Sequence, residues 1–236
     1  MMIPNALATK LIDSLHKVRP FRRRTMKDRT LVYESFMPGK TYVVEAGYVR
    51  VVSTEANGRY FTRSLLGAGA LLGDLPYGIT TFQNAESAVA NGTVIVLELD
   101  RSRVERASKD DESLREGLLE TYGHQLHFLD RRLQWQLTSP LLRRVAMVLT
   151  DLMCFEGQPC NHGVGYVVDV RMTQEELSEL VGASRPNVSA IMKTLRDQGV
   201  LSYRRAHVCV RDLDTLGRIV APDFVPFKGF QNLSPR

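Results

Sequence analysis

Between residues 30 and 100 apolar and polar positions alternate in short runs. Thr41-Tyr42-Val43-Val44-Glu45, Tyr48-Val49-Arg50-Val51-Val52 and Thr93-Val94-Ile95-Val96-Leu97-Glu98-Leu99 are rich in β-branched and aromatic residues, the composition of strands. Turn formers divide them: Pro38-Gly39, Ala46-Gly47, Asn57-Gly58 and Gly67 to Gly69. Asn57-Gly58 suits a type I′ hairpin, because both central residues need positive φ. Short strands with frequent turns predict a small antiparallel barrel or roll. Ahead of it, residues 1–20 read as a short helix or arm leading to Pro20.

The period changes at Asp100, a candidate N-cap for a short helix to about Ala107. A long helix is predicted over about Glu112 to Leu137. In it Leu119, Tyr122, Leu126, Leu129 and Leu133 are spaced 3, 4, 3 and 4, an a/d seam. Two readings stay open: the seam packs on the helix's own domain, or it joins two helices in a dimer. Its narrowness, with Asp130, Arg131 and Arg132 alongside, favours the dimer. Gly123 costs about 1 kcal/mol relative to Ala inside a helix, and its missing side chain permits close approach of a second helix.

Ser139-Pro140 marks a boundary. Ser139 suits an N-cap and Pro140 the first turn of a new helix, and a residue before proline disfavours helix. The next helix turns Leu141, Leu142, Val145, Val148, Leu149 and Leu152 inward. Further on, Thr173 and Glu176 form a Thr-x-x-Glu capping box for a helix over about Gln174 to Val181. Gly182 supplies the left-handed turn. Ser184 is a candidate N-cap for a second helix, with Pro186 in its first turn. Leu177, Val181, Ala183, Val188 and Ile191 have the spacing that locks two short helices at a steep angle. This is a helix-turn-helix signature. Tyr166-Val167-Val168-Asp169-Val170 reads as a strand, and residues 200–211 as a β-hairpin with Arg204, Arg205 and His207 at its tip. Together they predict a winged helix-turn-helix with a basic wing near phosphates.

Composition narrows the picture less than the motifs do. The chain has 236 residues, 44% hydrophobic and 24% charged, with 31 Lys plus Arg against 26 Asp plus Glu. That is a globular composition of one large or two modest domains. The net charge of +5 permits a polyanionic partner but does not identify one. Residues 1–138 carry 19 basic and 16 acidic side chains, residues 139–236 carry 12 and 10, so neither part is a basic cloud. The run Lys17, Arg19, Arg22, Arg23, Arg24, Lys27 and Arg29 is open to two readings, a solvated face or contact with an acidic surface. No apolar run approaches the roughly 20 residues of a membrane span, and no leader pattern opens the chain, so the expected location is cytoplasmic. Cys154, Cys160 and Cys209 are three, which argues against a disulfide framework. Cys154, Cys160 and His162 have spacing longer than a usual zinc knuckle and read as free thiols beside a loop histidine. His124 and His127, three apart on the long helix, read as a solvated or interfacial pair. No cofactor is expected. No phosphate loop, His-Glu-x-x-His or nucleophile elbow is present, so the chain is not expected to be an enzyme.

Over most of its length, and most strongly from Ser139 to Leu216, the chain resembles the catabolite activator and fumarate-nitrate regulator (Crp/Fnr) family of bacterial transcription factors. The segments Gly182-Ala183-Ser184-Arg185, Leu195 to Leu201 and Val208 to Asp214 carry the resemblance. It implies an α+β fold: an N-terminal antiparallel β-roll (cyclic-nucleotide-binding-like), a long dimerisation helix and a C-terminal winged helix-turn-helix. The expected divisions are 1–110, 111–138, 139–220 and a tail at 221–236. The resemblance implies a homodimer on a two-fold-related double-stranded DNA site that contacts RNA polymerase. Arg185 matches the family's guanine-reading arginine, and Arg can donate twice to guanine O6 and N7; phosphate contact alone is the plainer alternative. The next position, often Glu in the family, is Pro186, and Ala190 replaces an arginine of some members. Asn187 and Ser189 remain polar candidates for bases or phosphates, with Lys193, Arg204 and Arg205 as basic candidates and Thr173 and Ser184 at the helix starts.

In cyclic-nucleotide relatives a Gly-Glu-Leu is followed about ten residues on by Arg-Ser-Ala. Here Gly73-Asp74-Leu75 is followed by Asn84, Ala85 and Glu86. The arginine that would neutralise a phosphate is missing and Glu86 adds a like charge, so control by cAMP is not expected and the effector is unknown. The nucleotide contacts from the long helix would fall near Leu129 and Asp130. The leading expectation is a dimeric transcription regulator. The alternative is a ligand-sensing or protein-interaction module whose helix-turn-helix, altered at Pro186 and Ala190, no longer reads DNA.

Overall fold

The computed structural model describes residues 3–34, 38–54, 60–78, 86–160, 165–168, 172–204 and 207–221. The expected hairpin turn at Asn57-Gly58, the tail from Pro222, Arg205, Asn84, Ala85 and His162 lie outside them, as do the side chains of Cys154 and Arg204. The chain divides into two compact units, Met1–Arg131 and Arg132–Arg236.

The first unit holds helix α1 (Asn5–Leu15), strands β1 (Arg22–Met26), β2 (Leu31–Glu34), β3 (Lys40–Thr54), β4 (Tyr60–Leu66), β5 (Leu71–Gly73) and β6 (Glu86–Asp100), and helix α2 (Arg101–Asp110). Helix α3 (Glu112–Thr138) begins in it. The strands form one antiparallel sheet with β6 and β3 at its centre; β1 and β2 pair with β6, and β4 and β5 with β3. Successive side chains of a strand face opposite ways, and the centre of this sheet is covered on both faces. Val44, Val49, Val51, Ala88, Val94 and Val96 point into the roll with Tyr33 and Tyr42, whose rings stack at 5.2 Å. Val43, Leu97 and Leu99 face the helices and meet Leu11, Leu15, Val104, Leu114 and Leu118. That double burial explains the nearly continuous apolar run of β6.

Two strands expected on either side of Ala46-Gly47 are one. The register of β3 against β6 shifts between Val44 and Ala46 and again between Ala46 and Tyr48. Gly47 has φ +81°, and a Cβ there would lie 2.4 Å from the Thr93 carbonyl oxygen. The glycine makes a bulge inside a 15-residue strand rather than a turn, because pairing with β6 continues on both sides. Asp100 precedes α2 but makes no side-chain cap. Lys40 and Arg103 hold its carboxylate at 2.7 and 3.1 Å and keep it below the usual carboxylate range, the Lys40 bond most of all. In the basic run, Arg23 pairs with Glu45 and Arg24 with Glu98. At least these two cations serve the roll itself.

The second unit holds the end of α3, then α4 (Leu141–Glu156), β7 (Gly157–Pro159), β8 (Tyr166–Val168), α5 (Gln174–Val181), α6 (Arg185–Asp197), β9 (Leu201–Arg204), β10 (His207–Val210) and α7 (Leu213–Val220). The strands form a sheet ordered β7-β8-β10-β9. Val145, Leu149 and Leu152 of α4 are buried as the pattern required, while Leu141, Leu142 and Val148 are half-buried. Asp212 caps α7 by accepting from the Thr215 amide at 2.8 Å. That bond holds its carboxyl below the ordinary range.

The helix-turn-helix starts as the sequence predicts. Thr173 Oγ1 accepts from the Glu176 amide at 3.2 Å, and Glu176 accepts from the Thr173 amide at 2.8 Å. Ser184 differs from expectation: its side chain caps nothing. Pro186 removes one amide from that first turn, so the turn has fewer donors to satisfy. Thr173→Ala is therefore expected to destabilise the second unit by about 1 kcal/mol, and Ser184→Ala by only a few tenths. Urea unfolding of the two variants checks this. Equal losses would contradict the assignment of the cap.

Candidate nucleic-acid interface

Helix α5 is fixed at both ends. Gly182, φ +63°, turns the chain after it, with Ala183 N–H donating to the Ser178 carbonyl at 3.0 Å and Gly182 N–H to the Glu179 carbonyl at 3.2 Å. This is the Schellman pattern, which satisfies carbonyls a helix end leaves unpaired. Two arginines take the next ones: Arg132 donates to Leu180 O at 2.6 Å and Arg144 to Val181 O at 2.7 Å. Cations there also meet the negative end of the helix dipole.

Helix α6 then shows two faces. Val188, Met192 and Leu195 are buried. Arg185, Pro186, Asn187, Ala190 and Lys193 are exposed, and Ser189 lies half-buried at the edge facing α5. The spacing of 3 and 4 on the buried side pins the helix, leaving its other side as a polar and basic surface. The structure thus brings Ser184, Arg185, Pro186, Asn187, Ser189 and Lys193 onto one short helix and its start. The backbone of Arg204 ends β9, opposite His207 in the wing. Arg196 lies over the Tyr203 ring at 5.4 Å.

A cavity of about 280 Å³ lies in this unit, with Leu149, Leu152, Leu177 and Met192 among its apolar walls and Thr173, Gln174, Arg185 and Tyr203 among its polar ones. Gln174 and Glu175 were not singled out by the sequence. Gln174 Oε1 accepts from Ser189 Oγ at 2.6 Å, and Glu175 Oε2 lies 3.8 Å from Arg185 Nε. The signal for them was their place at the start of α5, which a capping-box reading passes over.

Along α3, Leu119, Leu126, Leu129 and Leu133 are 49–70% exposed. Leu137, four residues beyond and not part of the expected seam, is 76% exposed. Tyr122 departs from the expected seam. Its hydroxyl donates to Pro76 O at 2.8 Å, its ring packs against the helix-side core of the roll, and burial raises its pKa. Gly123 faces open space: a Cβ there would meet nothing within 4 Å. His124 and His127 are both exposed.

The roll has a second cavity, of about 260 Å³. Val51, Leu66, Leu72, Leu75 and Phe128 are among its walls, with Arg63, Ser64, Gly73, Glu86, Gln125 and Leu129. The two charged side chains among its described walls, Arg63 and Glu86, pair with each other, and Glu86 also accepts from the Tyr33 hydroxyl. Burial raises the Tyr33 pKa, and the Glu86 charge raises it further. Gln125 is occupied with both backbone groups of Leu71. Gly73 lines the cavity. Asp74 is not among the lining residues; its carboxylate is held by Arg101 at 2.7 Å and the Gly39 amide at 2.8 Å.

The profile of the cyclic nucleotide-binding domain matches residues 22–111, and that of the Crp-like helix-turn-helix domain matches residues 143–219. The chain belongs to the Crp/Fnr family. It is 26% identical over 198 residues to the cyclic AMP receptor protein of Thermus thermophilus, covering 84% of this chain and 87% of that one. It is 21% identical over 195 residues to the global nitrogen regulator of a Nostoc species, covering 81% and 86%. A solved CRP/FNR-family transcriptional regulator of Thermus thermophilus shares the fold, with a TM-score of 0.70 at 20% identity over 84% of this chain and 98% of the other. This Crp/Fnr chain is thus a transcriptional regulator with a helix-turn-helix DNA-binding domain, and its fold is the α+β arrangement anticipated. Among its described residues no helix is long and apolar enough to cross a membrane, and no group of three or more His, Cys, Asp or Glu is placed to hold a metal.

Cys209 sits in β10, on the sheet that carries the wing. Burial and the neighbouring Cys160 thiol push its pKa up to about 11. Relative to an ordinary thiol this cuts the thiolate near neutrality by roughly a hundredfold. Alkylation by iodoacetamide at pH 8, followed by peptide mass spectrometry, should be at least about tenfold slower for Cys209 in the native protein than in urea. Equal rates would contradict the assigned environment.

Proposed function

We propose that this chain is a homodimeric, sequence-specific DNA-binding regulator that reads a palindromic site, acts on RNA polymerase and is not controlled by cAMP. The observation that carries the reading is the exposed face of α6, where Arg185, Asn187 and Lys193 stand opposite buried Val188, Met192 and Leu195. Arg185 reads guanine through O6 and N7. Ser189, Asn187 and Lys193 serve bases or phosphates beside it, and Arg204 and Arg205 of the wing serve phosphates. Thr173 and Ser184 open the two helices towards the duplex. The cytoplasm is the proposed location, and no enzymatic activity or cofactor is part of the proposal.

The exposed leucines of α3 support the dimer, since an unpartnered apolar stripe is costly in water. The Thermus relative is named for cyclic AMP. Against the same ligand here stand Asn84 and Ala85 in place of an arginine and serine, Asp74 held by Arg101, and Arg63 already paired with Glu86. A nucleotide phosphate would have to displace that carboxylate. Pro186 and Ala190, both exposed on α6, favour the second reading, a protein-interaction module that no longer reads DNA.

Selection of duplexes from random sequence separates the two. The expected product has two half-sites related by two-fold symmetry, about 34 Å apart along the helix. Arg185→Ala should reduce discrimination at one position of each half-site by about 1–3 kcal/mol. No selected sequence, at low salt, would favour the second reading. Unchanged preference in the variant would remove Arg185 from base reading.

The double substitution Leu126→Asp, Leu133→Asp is expected to give a monomer in sedimentation equilibrium with its helical circular dichroism kept. It should lose binding to the two-half-site duplex by at least about a hundredfold, because the two heads then bind independently. A stable dimer would contradict the assignment of α3.

A further inference from the structure

The first turn of α5 reaches the N-terminal part of α6 at two points. One is the hydrogen bond from Ser189 Oγ to Gln174 Oε1, 2.6 Å. The other is the ion pair of Glu175 with Arg185, 3.8 Å from Oε2 to Nε. The Glu175 carboxylate is not the one that caps its own helix, since Glu176 does that. The two side chains of the pair are 55% and 65% exposed, so both are open to an approaching duplex. Glu175 approaches Arg185 at Nε, which leaves both Nη groups available to donate to guanine O6 and N7.

Pro186, the residue after Arg185, has no side-chain acceptor. Among the described residues, Glu175 is the carboxylate within ion-pair reach of Arg185. A long exposed arginine otherwise samples many rotamers, and ordering it on binding has an entropic cost. We propose that Glu175 is a specificity-positioning residue: from the preceding helix it supplies the carboxylate that residue 186 lacks, and it aims the Arg185 guanidinium at a guanine. The reading surface is then composite, with Gln174 holding Ser189 and Glu175 holding Arg185. The inference rests on the proposed base-reading role of Arg185.

A bare carboxylate near DNA also repels phosphates, and the two effects have different signatures. The test is selection and titration of duplexes that carry guanine or adenine at the position dependent on Arg185, using the full chain. Glu175→Gln keeps the side-chain length and removes the charge. It is expected to lower the preference for guanine about two- to fivefold, the range set by an exposed ion pair. Adding Pro186→Glu to that variant returns a carboxylate beside Arg185 and should restore the preference. A purely structural role for Glu175 would not be rescued this way. Unchanged guanine preference in Glu175→Gln overturns the inference, whether affinity for all duplexes stays the same or rises equally. Loss of preference without rescue overturns it too. A wild-type protein that selects no sequence, or whose guanine preference survives Arg185→Ala, overturns the proposed function and this inference with it.

Discussion

The presentation of α6 depends on how α5 ends. A helix leaves its last carbonyls without partners, and a buried orphan carbonyl is costly. Here the left-handed Gly182 folds the chain back onto two of them, while Arg132 and Arg144 take two more. A side chain at Gly182 would put strain into the one residue that sets the angle between α5 and α6. From that turn onward the rest follows by packing: Val188, Met192 and Leu195 fasten α6, and its opposite face is left exposed.

The helix-turn-helix was legible because its determinants are local. Thr173, Glu176 and Gly182 sit within ten residues of one another, and each acts on its own backbone. The roll was legible in kind but not in register. Ala46-Gly47 looks like a turn in isolation, and only the continuing partnership with β6 makes it a bulge. Asp100 has the chemistry of a cap, yet Lys40, 60 positions away, takes its carboxylate. Tyr122 fits the leucine period well, and only the three-dimensional position of Pro76 draws it into the roll. In each case the missing information is a long-range partner that no spacing encodes. The same holds for Arg132, Arg144 and Glu175, whose roles depend on which helix end lies across from them.

The two cavities differ in character. That of the roll has one arginine and one glutamate among its described walls, paired with each other, so its field is nearly balanced. A balanced apolar cavity discriminates by shape more than by charge. Glu86 meets Arg63 within these walls, while Asp74 meets Arg101 outside them. On α6 the charges are exposed instead: Arg185 and Lys193 both lie on its open face, and Glu175 lies 3.8 Å from Arg185. The net charge of +5 does not locate the local field, because internal pairs in the roll cancel charges of both signs.

The most direct measurement is methylation protection by dimethyl sulfate, which attacks guanine N7 in the major groove, on a duplex selected by the protein. Two reading helices entering successive major grooves predict protected guanines in two patches about 10 base pairs apart, with symmetry-related positions on opposite strands. Protection confined to a single patch, or none on a duplex that is bound, would contradict the account.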